Sequence, residues 1–436
     1  MPTKRNFSDE IQMFDQQRST NRDAAEAFRI MSVLAEAGFV AHLAGGCVRD
    51  ALLGKTPKDY DVATDATPES VREVFGKSHT LAFGASFGVI GVLPIKSANQ
   101  NRDAPLTPTE VATFRSDGQY SDGRRPDSVH YGNAEQDALR RDFTINGLFY
   151  DPISESVIDY VGGQADLKSK VLRTIGSPHQ RFAEDKLRML RAIRFATTLG
   201  FQVDPATTDA IEQHAADISV VSGERIGAEM RRVMTSEHSA DGLRRLVETG
   251  LAQHVMPGLL DIDFDRLTRL RKHLPCDSFA AALACVAIAG EASHQILLQT
   301  SRDWKLSSEE TRQATAAVKH HATLIRAAEL PWSKIQPVLI DRDRDVVVSV
   351  ATAVATADDD DQTGLEKVRG AIRWPADRLN PPPLITGDDL REHGIPAGPM
   401  YRIVLQTVRD GQLEGEISTA DQAWEVVKHV LSKKRT

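Results

Sequence analysis

The stretch 43–65 constrains this chain most, because a glycine pair and a pair of aspartates lie close together in it. The residues 38–44 predict a short buried strand that leads into Gly45 and Gly46. Two glycines after a strand allow a sharp turn and bring backbone N–H groups close to a ligand. We expect Arg49 in the first turn of the following helix, where the positive end of the helix dipole favours phosphate.

The second half of this stretch carries Asp59 and Asp61, which we predict to lie on a second strand. Side chains at i and i+2 of a strand point to the same face, so both carboxylates would converge on one spot. Oxygen ligands of this kind suit Mg²⁺ bound to a nucleoside triphosphate, and we predict a catalytic metal site at these two residues. Glu110 begins a later predicted strand beside them and is a candidate third catalytic carboxylate. An exposed glutamate at a strand end is an equally good interpretation of Glu110.

A second motif lies at 140–148 and reads Arg-Arg-Asp-Phe-Thr-Ile-Asn-Gly-Leu. Arg141 is predicted to bind triphosphate oxygens, since a guanidinium donates two parallel hydrogen bonds to such groups. Asp142 can accept a hydrogen bond from a ribose hydroxyl. The alternative is a charged helix face with an internal Arg–Asp pair.

A third motif lies in a predicted helix over 184–195. Its apolar positions recur every three residues and form one face: Leu187, Leu190 and Ile193. Its polar positions recur at the same interval and form a stripe beside that face: Asp185, Arg188, Arg191 and Arg194. A solvated basic face is the ordinary explanation of such a stripe.

Base chemistry supports a more specific interpretation of Asp185 and Arg188. Cytosine and adenine each present an amino donor beside a ring-nitrogen acceptor, whereas guanine and uracil reverse that order. An aspartate only accepts hydrogen bonds and an arginine only donates them. The two side chains on one helix face would therefore select C and A, because mismatched buried polar groups are heavily penalised.

Together these motifs resemble the polymerase β-type nucleotidyltransferase head, and in detail the class II tRNA nucleotidyltransferase and bacterial poly(A) polymerase family. The resemblance implies an α+β fold, in which a head with a mixed sheet precedes an all-helical neck, body and tail. It also implies an enzyme that uses Mg²⁺ to transfer nucleotides from CTP and ATP to the 3′ end of tRNA, with release of pyrophosphate. In the family Asp185 and Arg188 select the base, and Arg191 and Arg194 lie near the nucleotide.

Two segments separate the activities within this family. The stretch 117–127 is rich in glycine and charge and resembles the loop that helps the family switch from C to A addition, which relatives that add only CC lack. Taken alone it is a mobile surface loop. The stretch 81–89 lacks the run Gly-Arg-Arg-Phe-Arg that marks the poly(A) polymerases. The sequence therefore favours CCA addition, with poly(A) synthesis, addition of A only, or an RNA-binding protein with an inactive head as alternatives.

The motifs and helical periodicity predict four domains: a nucleotidyltransferase head over 22–150, a neck with the nucleotide-selecting helix over 151–235, a helical body over 236–340 and a helical tail over 341–436. The resemblance implies that this tail binds tRNA. We expect residues 1–21 to be loosely ordered, since they are polar. The body contains no His-Asp doublet of the kind that many relatives carry as a metal site.

Composition limits the remaining possibilities. The net charge of −8 argues against an indiscriminate nucleic-acid binder. The 3 cysteines are scattered and no Cys/His spacing suggests zinc. We expect no membrane span, no zinc and a cytoplasmic location, while the sequence leaves the oligomeric state open.

Overall fold

A computed structural model describes residues 7–84, 87–95, 107–121, 123–275, 277–290 and 293–432. The chain divides into two compact units. Unit 1 comprises the chain up to Val233 together with Arg245–Val255, and unit 2 comprises Met234–Arg244 and the chain from Met256 onward.

All strands of the described residues lie in unit 1. In chain order they are β1 (Ala41–Ala44), β2 (Val62–Thr64), β3 (Thr80–Gly84), β4 (Val89–Val92), β5 (Thr109–Thr113), β6 (Arg115–Asp117), β7 (Val129–Tyr131), β8 (Leu148–Asp151), β9 (Ser156–Asp159), β10 (Val171–Leu172) and β11 (Gln202–Val203).

Helices occur in both units. The helices up to residue 255 are α1 (Phe7–Thr20), α2 (Arg22–Glu36), α3 (Gly46–Leu52), α4 (Pro68–Phe75), α5 (Ala134–Leu139), α6 (Gly163–Ser169), α7 (Pro178–Glu184), α8 (Leu187–Leu199), α9 (Pro205–His214), α10 (Gly223–Met234), α11 (Ser239–Glu248) and α12 (Ala252–Val255). Unit 2 continues with α13 (Phe264–Lys272), α14 (Phe279–Ile288), α15 (Ser293–Asp303), α16 (Ser308–Ile325), α17 (Trp332–Leu339), α18 (Arg344–Ala357), α19 (Thr363–Ile372), α20 (Ala376–Leu379), α21 (Gly387–Glu392), α22 (Pro399–Leu413) and α23 (Ala420–Ser432).

The main sheet of unit 1 has 7 strands in the order β3-β4-β5-β2-β1-β8-β9. It is mixed, because β2 and β5 run parallel while the other neighbouring strands run antiparallel. Strand β1 lies inside the sheet and all four of its residues are buried, although one of them, His42, is polar. The predicted α+β head with a mixed sheet and a helical remainder is confirmed.

The expectation of a loosely ordered N-terminus is wrong for residues 7–20, which form α1. The polar composition concealed one strong anchor, Phe14. Its ring is buried and stacks on Tyr150 of β8 with ring centres 3.8 Å apart. Asn21 then starts α2 by accepting hydrogen bonds from the backbone N–H groups of Asp23 and Ala24.

The prediction that Asp59 and Asp61 lie on a strand is also wrong, because β2 begins only at Val62. The preceding residues 55–61 have no regular secondary structure. The backbone carbonyl of Asp61 still accepts a hydrogen bond from the N–H of Ala44 at 3.0 Å, which attaches this coil to the end of β1. The strand that carries Glu110 does pair with β2, as predicted.

Unit 2 is helical throughout its described residues. One hydrophobic cluster joins residues of α16 to α20, and a second joins residues of α21 to α23. Helix α14 is buried on all sides, which explains its lack of polar positions. The four-domain division, with boundaries near residues 150, 235 and 340, stays a prediction.

None of the helices in the described part of the chain is both long and apolar enough to cross a membrane.

Candidate active site

The glycine pair forms the turn between β1 and α3. Gly45 has a φ of 72°, and its N–H donates to the carbonyl of Leu148 at 2.9 Å. The backbone conformation at this position favours glycine, and a Cβ there would lie 2.5 Å from Nη1 of Arg141 and displace that guanidinium. Gly46 is the first residue of α3, and a Cβ there would meet only Nη2 of Arg49 at 3.7 Å.

Arg49 is the fourth residue of α3 and lies in the first turn of this seven-residue helix, as expected. The guanidinium of Arg49 donates to Oδ1 of Asn146 at 2.6 Å and to Oδ1 of Asp50 at 2.8 Å. These contacts hold a buried positive charge beside the glycine turn.

Asp59 and Asp61 both line the cleft beside this turn. Burial first, and then the negative charges of Asp59 and Glu110, raise the pKa of Asp61 to about 6 against the lowering effect of Arg141. Glu110 is exposed and is not among the residues that line the cleft. The structure therefore brings two of the three predicted carboxylates into the cleft and places the third close enough to act on Asp61 through its charge.

The second motif forms a network of ion pairs. Arg141 donates to Oδ2 of Asp137 through Nε at 3.1 Å and Nη2 at 2.9 Å. Asp142 accepts from Asn146 at 3.0 Å and from two nitrogens of Arg191 at 2.8 Å and 2.5 Å. Burial alone would raise the pKa of Asp142, but Arg191 and Asn146 hold it down to about 2. The Asp142 carboxylate is therefore ionised and fixed in place.

The predicted continuous helix over 184–195 is wrong, because it consists of α7 and α8 with a break at Asp185 and Lys186. Asp185 has an extended backbone, and its Oδ1 accepts from the N–H of Leu187 at 3.0 Å. The Asp185 side chain thus caps the start of α8. Aspartate favours such bonds to nearby backbone N–H groups, and they compete with continuation of the preceding helix.

Asp185 and Arg188 both line the cleft, although they do not share one continuous helix. Oδ2 of Asp185 accepts from Nη2 of Arg225 at 2.8 Å. Arg188 pairs with Glu184 and also donates to the carbonyl of Arg181 at 3.1 Å. Each of the two predicted base-selecting groups thus has a partner of opposite charge in the protein.

The last arginine of the stripe, Arg194, lies 2.5 Å from Glu229 of α10. Burial lowers the pKa of the Arg194 guanidinium to about 10. Its guanidinium carbon stands 3.7 Å from the ring centre of Phe195, and Arg49 and Arg191 face the same ring at 5.1 and 5.4 Å. This arrangement orders three arginines around one aromatic ring.

The cleft has a volume of about 630 Å³, which is in the range of small-molecule sites. The structure brings into it every predicted site residue except Glu110: Gly45, Gly46, Arg49, Asp59, Asp61, Arg141, Asp142, Asp185, Arg188, Arg191 and Arg194. Two neighbouring carboxylates and several arginines that line one cleft can hold a triphosphate together with a divalent cation.

The cleft also contains residues that we did not predict to be site residues: Arg140, Asn146, Leu187, Phe195, Arg225 and Arg232. Arg225 and Arg232 are seven residues apart on α10 and therefore lie on one face of that helix, which is a signal that the sequence contained. Asn146 lies near the end of the second motif, and its contacts with Arg49 and Asp142 show its place in the site.

The residues at Asp59 and Asp61 fit a divalent metal ion. A cation between them would relieve the like-charge repulsion that raises the pKa of Asp61. Among the described residues no group of three or more His, Cys, Asp or Glu side chains is placed to hold a metal ion. Two carboxylates suit a metal that completes its coordination with water and substrate phosphates, as Mg²⁺ commonly does.

Comparison with known proteins agrees with this geometry. Residues 41–173 match the family described as "Poly A polymerase head domain", and residues 200–262 match "Probable RNA and SrmB- binding site of polymerase A". The CCA-adding enzyme of Latilactobacillus sakei is 36% identical over 315 residues, which cover 72% of this chain and 76% of that protein. The chain belongs to the family of CCA-adding enzymes.

Other members of the CCA-adding family support the same assignment. The enzyme of Geobacillus stearothermophilus is 36% identical over 69% of this chain and 71% of its own length. The crystal structure of the Bacillus stearothermophilus CCA-adding enzyme in complex with CTP has a TM-score of 0.75 and 27% identity, and covers 95% of this chain and 100% of that one. The Thermotoga maritima CCA-adding enzyme complexed with tRNA has a TM-score of 0.63 at 19% identity and shares the fold. Nucleotidyltransferases of this family generally use a divalent metal ion.

Proposed function

We propose that this chain adds C and A from CTP and ATP to the 3′ end of tRNA without a nucleic-acid template. In each step the 3′ hydroxyl oxygen of the RNA forms a bond to the α-phosphorus, the bond from that phosphorus to the β-phosphate oxygen breaks, and pyrophosphate leaves. The hydroxyl proton is released. The observation that carries the proposal is the single cleft that holds Asp59 and Asp61 together with the arginines and Asp185.

Asp59 and Asp61 are the proposed ligands of Mg²⁺, and Glu110 stays a candidate that acts on them by its charge. When bound there, the metal would lower the pKa of the attacking hydroxyl and offset the charge of the triphosphate. Asp61 must be ionised to serve in this way.

The phosphates would be bound by the glycine turn at Gly45 and Gly46 and by Arg49 and Arg141. Backbone N–H groups at such a turn donate to phosphate oxygens, and the guanidinium groups offset their charge. Asp142 is the proposed acceptor for a ribose hydroxyl, since Arg191 keeps it ionised.

Asp185 and Arg188 are the proposed template for the base. In this structure Arg225 pairs with Asp185 and Glu184 pairs with Arg188, so a base would share or replace these partners. Arg225 donates to Oδ2 of Asp185, and a carboxylate oxygen can accept more than one hydrogen bond. The arrangement therefore leaves Asp185 able to accept from the amino group of cytosine or adenine.

The test uses tRNA transcripts that end before C74, before C75 and before A76, each incubated with a single NTP. We expect CTP to be used on the first two transcripts and ATP on the third. Repeated addition of A to all three would indicate the alternative, a poly(A) polymerase, while addition only to the transcript ending before A76 would indicate an enzyme that adds A alone.

The same assay tests the metal site through Asp61→Asn and Asp59→Ala. Both variants should lose incorporation while binding tRNA as the wild type does, because metal ligation is separate from backbone contacts to RNA. Activity near wild type in either variant would remove the proposed metal site. If the wild type bound tRNA but incorporated no nucleotide at all, the chain would be an RNA-binding protein with an inactive head.

Because the bacterial relatives act on tRNA, we propose the cytoplasm as the location.

A further inference from the structure

Helix α1 lies before residue 41, where the match to the shared head family begins. It is nevertheless fixed to the head. Phe14 is 1% exposed, and its ring stacks on Tyr150 of the main sheet. Tyr150 also contacts Phe28 of α2 in an edge-to-face arrangement, with ring centres 6.3 Å apart. These aromatic contacts set the position of α1 on the sheet.

The catalytic aspartates need an external support, because residues 55–61 form an irregular coil. Asp59 and Asp61 line the cleft, whereas Tyr60 between them does not and is only 4% exposed. Tyr60 therefore serves as the buried anchor of the segment that carries both carboxylates.

A single side chain of α1 binds this coil at two places. The hydroxyl of Tyr60 donates to Oε1 of Gln17 at 3.3 Å, and Nε2 of Gln17 donates to the backbone carbonyl of Lys55 at 3.3 Å. Gln17 follows Phe14 by three residues and lies on the same face of the helix. The ring of Phe14 and the side-chain amide of Gln17 thus contact the head from the same face of α1.

We propose that α1 is a positioning element for the catalytic metal site, and that Gln17 acts by fixing Tyr60 and Lys55 so that Asp59 and Asp61 are held at the separation a metal ion requires. This inference rests on the proposed role of those two aspartates. Gln17 is not among the residues that line the cleft, so its effect would pass through the coil.

The test is a double-mutant cycle with Gln17→Ala, Tyr60→Phe and the double variant. Tyr60→Phe keeps the buried ring and removes only the hydroxyl. The control is Gln16→Ala, which alters an exposed side chain of the same helix. Two quantities are measured: binding of Mn²⁺ in the presence of a nonreactive CTP analogue, followed by electron paramagnetic resonance, and the Mg²⁺ concentration at half-maximal incorporation.

We expect Gln17→Ala to weaken Mn²⁺ binding and raise the Mg²⁺ midpoint by roughly two- to tenfold, the effect of one or two ordinary hydrogen bonds. Tyr60→Phe should do the same to a smaller extent, and the double variant should resemble Gln17→Ala, since both changes remove the same bond. Binding of tRNA and the melting temperature should stay close to those of Gln16→Ala.

Unchanged metal binding in Gln17→Ala, fully additive effects in the double variant, or an equal effect of Gln16→Ala would overturn the inference. Asp61→Asn separates this outcome from failure of the proposed function. If that variant loses metal binding while the Gln17 variant keeps it, then the metal site stands and the positioning role of α1 does not.

Discussion

The substitution Gly45→Ala tests the turn on which the proposed phosphate site depends. Gly45 has a φ of 72° and a ψ of −120°, a conformation that is strained for any residue with a Cβ and costs about 1–3 kcal/mol. For a protein unit of this size, each kcal/mol lowers the melting temperature by about 2–4 °C. The backbone term alone therefore predicts a decrease of several degrees.

The added methyl group also displaces Arg141. Its Cβ would lie 2.5 Å from Nη1 of Arg141, which donates to the carbonyl of Asn146 at 3.2 Å. The two bonds to Asp137 hold the other side of the guanidinium, so the side chain has to give up its contact with Asn146. A guanidinium displaced in this way would also lose a hydrogen bond to the triphosphate in the proposed site. Loss of a hydrogen bond to a charged group is worth about 1.5–3 kcal/mol, which predicts a roughly ten- to hundredfold lower kcat/KM for CTP.

The neighbouring substitution Gly46→Ala is the matched control for stability. Gly46 is helical, and its Cβ would make only an ordinary contact at 3.7 Å, so its melting temperature should stay close to that of the wild type. The assays are thermal melting and incorporation of CTP into a transcript that ends before C75. A Gly45→Ala variant that melts and incorporates CTP like the wild type would refute the reasoning about this turn.

Two further predictions concern the metal site and the loop. The pKa of Asp61 is raised to about 6, so this carboxylate is protonated in the metal-free protein below that pH and its contribution to stability decreases as the pH rises through about 6. The melting temperature of metal-free Asp61→Asn should therefore exceed that of the metal-free wild type at pH 7, and the difference should be smaller at pH 5. An equal difference at both pH values would contradict the assignment. Deletion of the loop 118–125 should spare addition of CC and impair addition of the terminal A, as measured on the three transcripts. Residue 122 of this loop lies outside the described part of the chain. Equal loss of all three steps would show that the loop only supports the fold.

Local patterns in the sequence predicted most of the candidate site. The glycine pair, the Asp-Tyr-Asp triplet and the arginine spacing of α8 each depend on a few neighbouring residues, and the structure brings them to one cleft. The mixed sheet followed by helices was expected from the family resemblance that these motifs carry.

The errors came from interactions between distant residues or between competing local preferences. The residues 184–195 include no glycine or proline, so the sequence shows helical spacing across the break that the capping side chain of Asp185 makes. The order of α1 depends on Phe14 meeting Tyr150, and the contact between Arg49 and Asn146 joins residues 97 positions apart. Such pairings depend on the tertiary fold, which a single sequence does not display.

The central claim is that protein side chains act as the template for C and A. Asp185 lines the cleft and its Oδ2 accepts a hydrogen bond from Arg225, while Arg188 lines the same cleft from the first turn of α8. Asp185→Ala removes the acceptor for the amino group and leaves only donors. The loss of one hydrogen bond to a charged group predicts a roughly ten- to hundredfold smaller preference for the correct base.

The decisive measurement is the ratio of kcat/KM for CTP to that for UTP on a transcript that ends before C75. It compares wild type, Asp185→Ala and the control Lys186→Ala, whose side chain is not part of the cleft lining. We predict that the ratio falls roughly ten- to hundredfold in Asp185→Ala and stays unchanged in Lys186→Ala. If Asp185→Ala slows both nucleotides by the same factor and leaves the ratio as it is in the wild type, then Asp185 does not select the base.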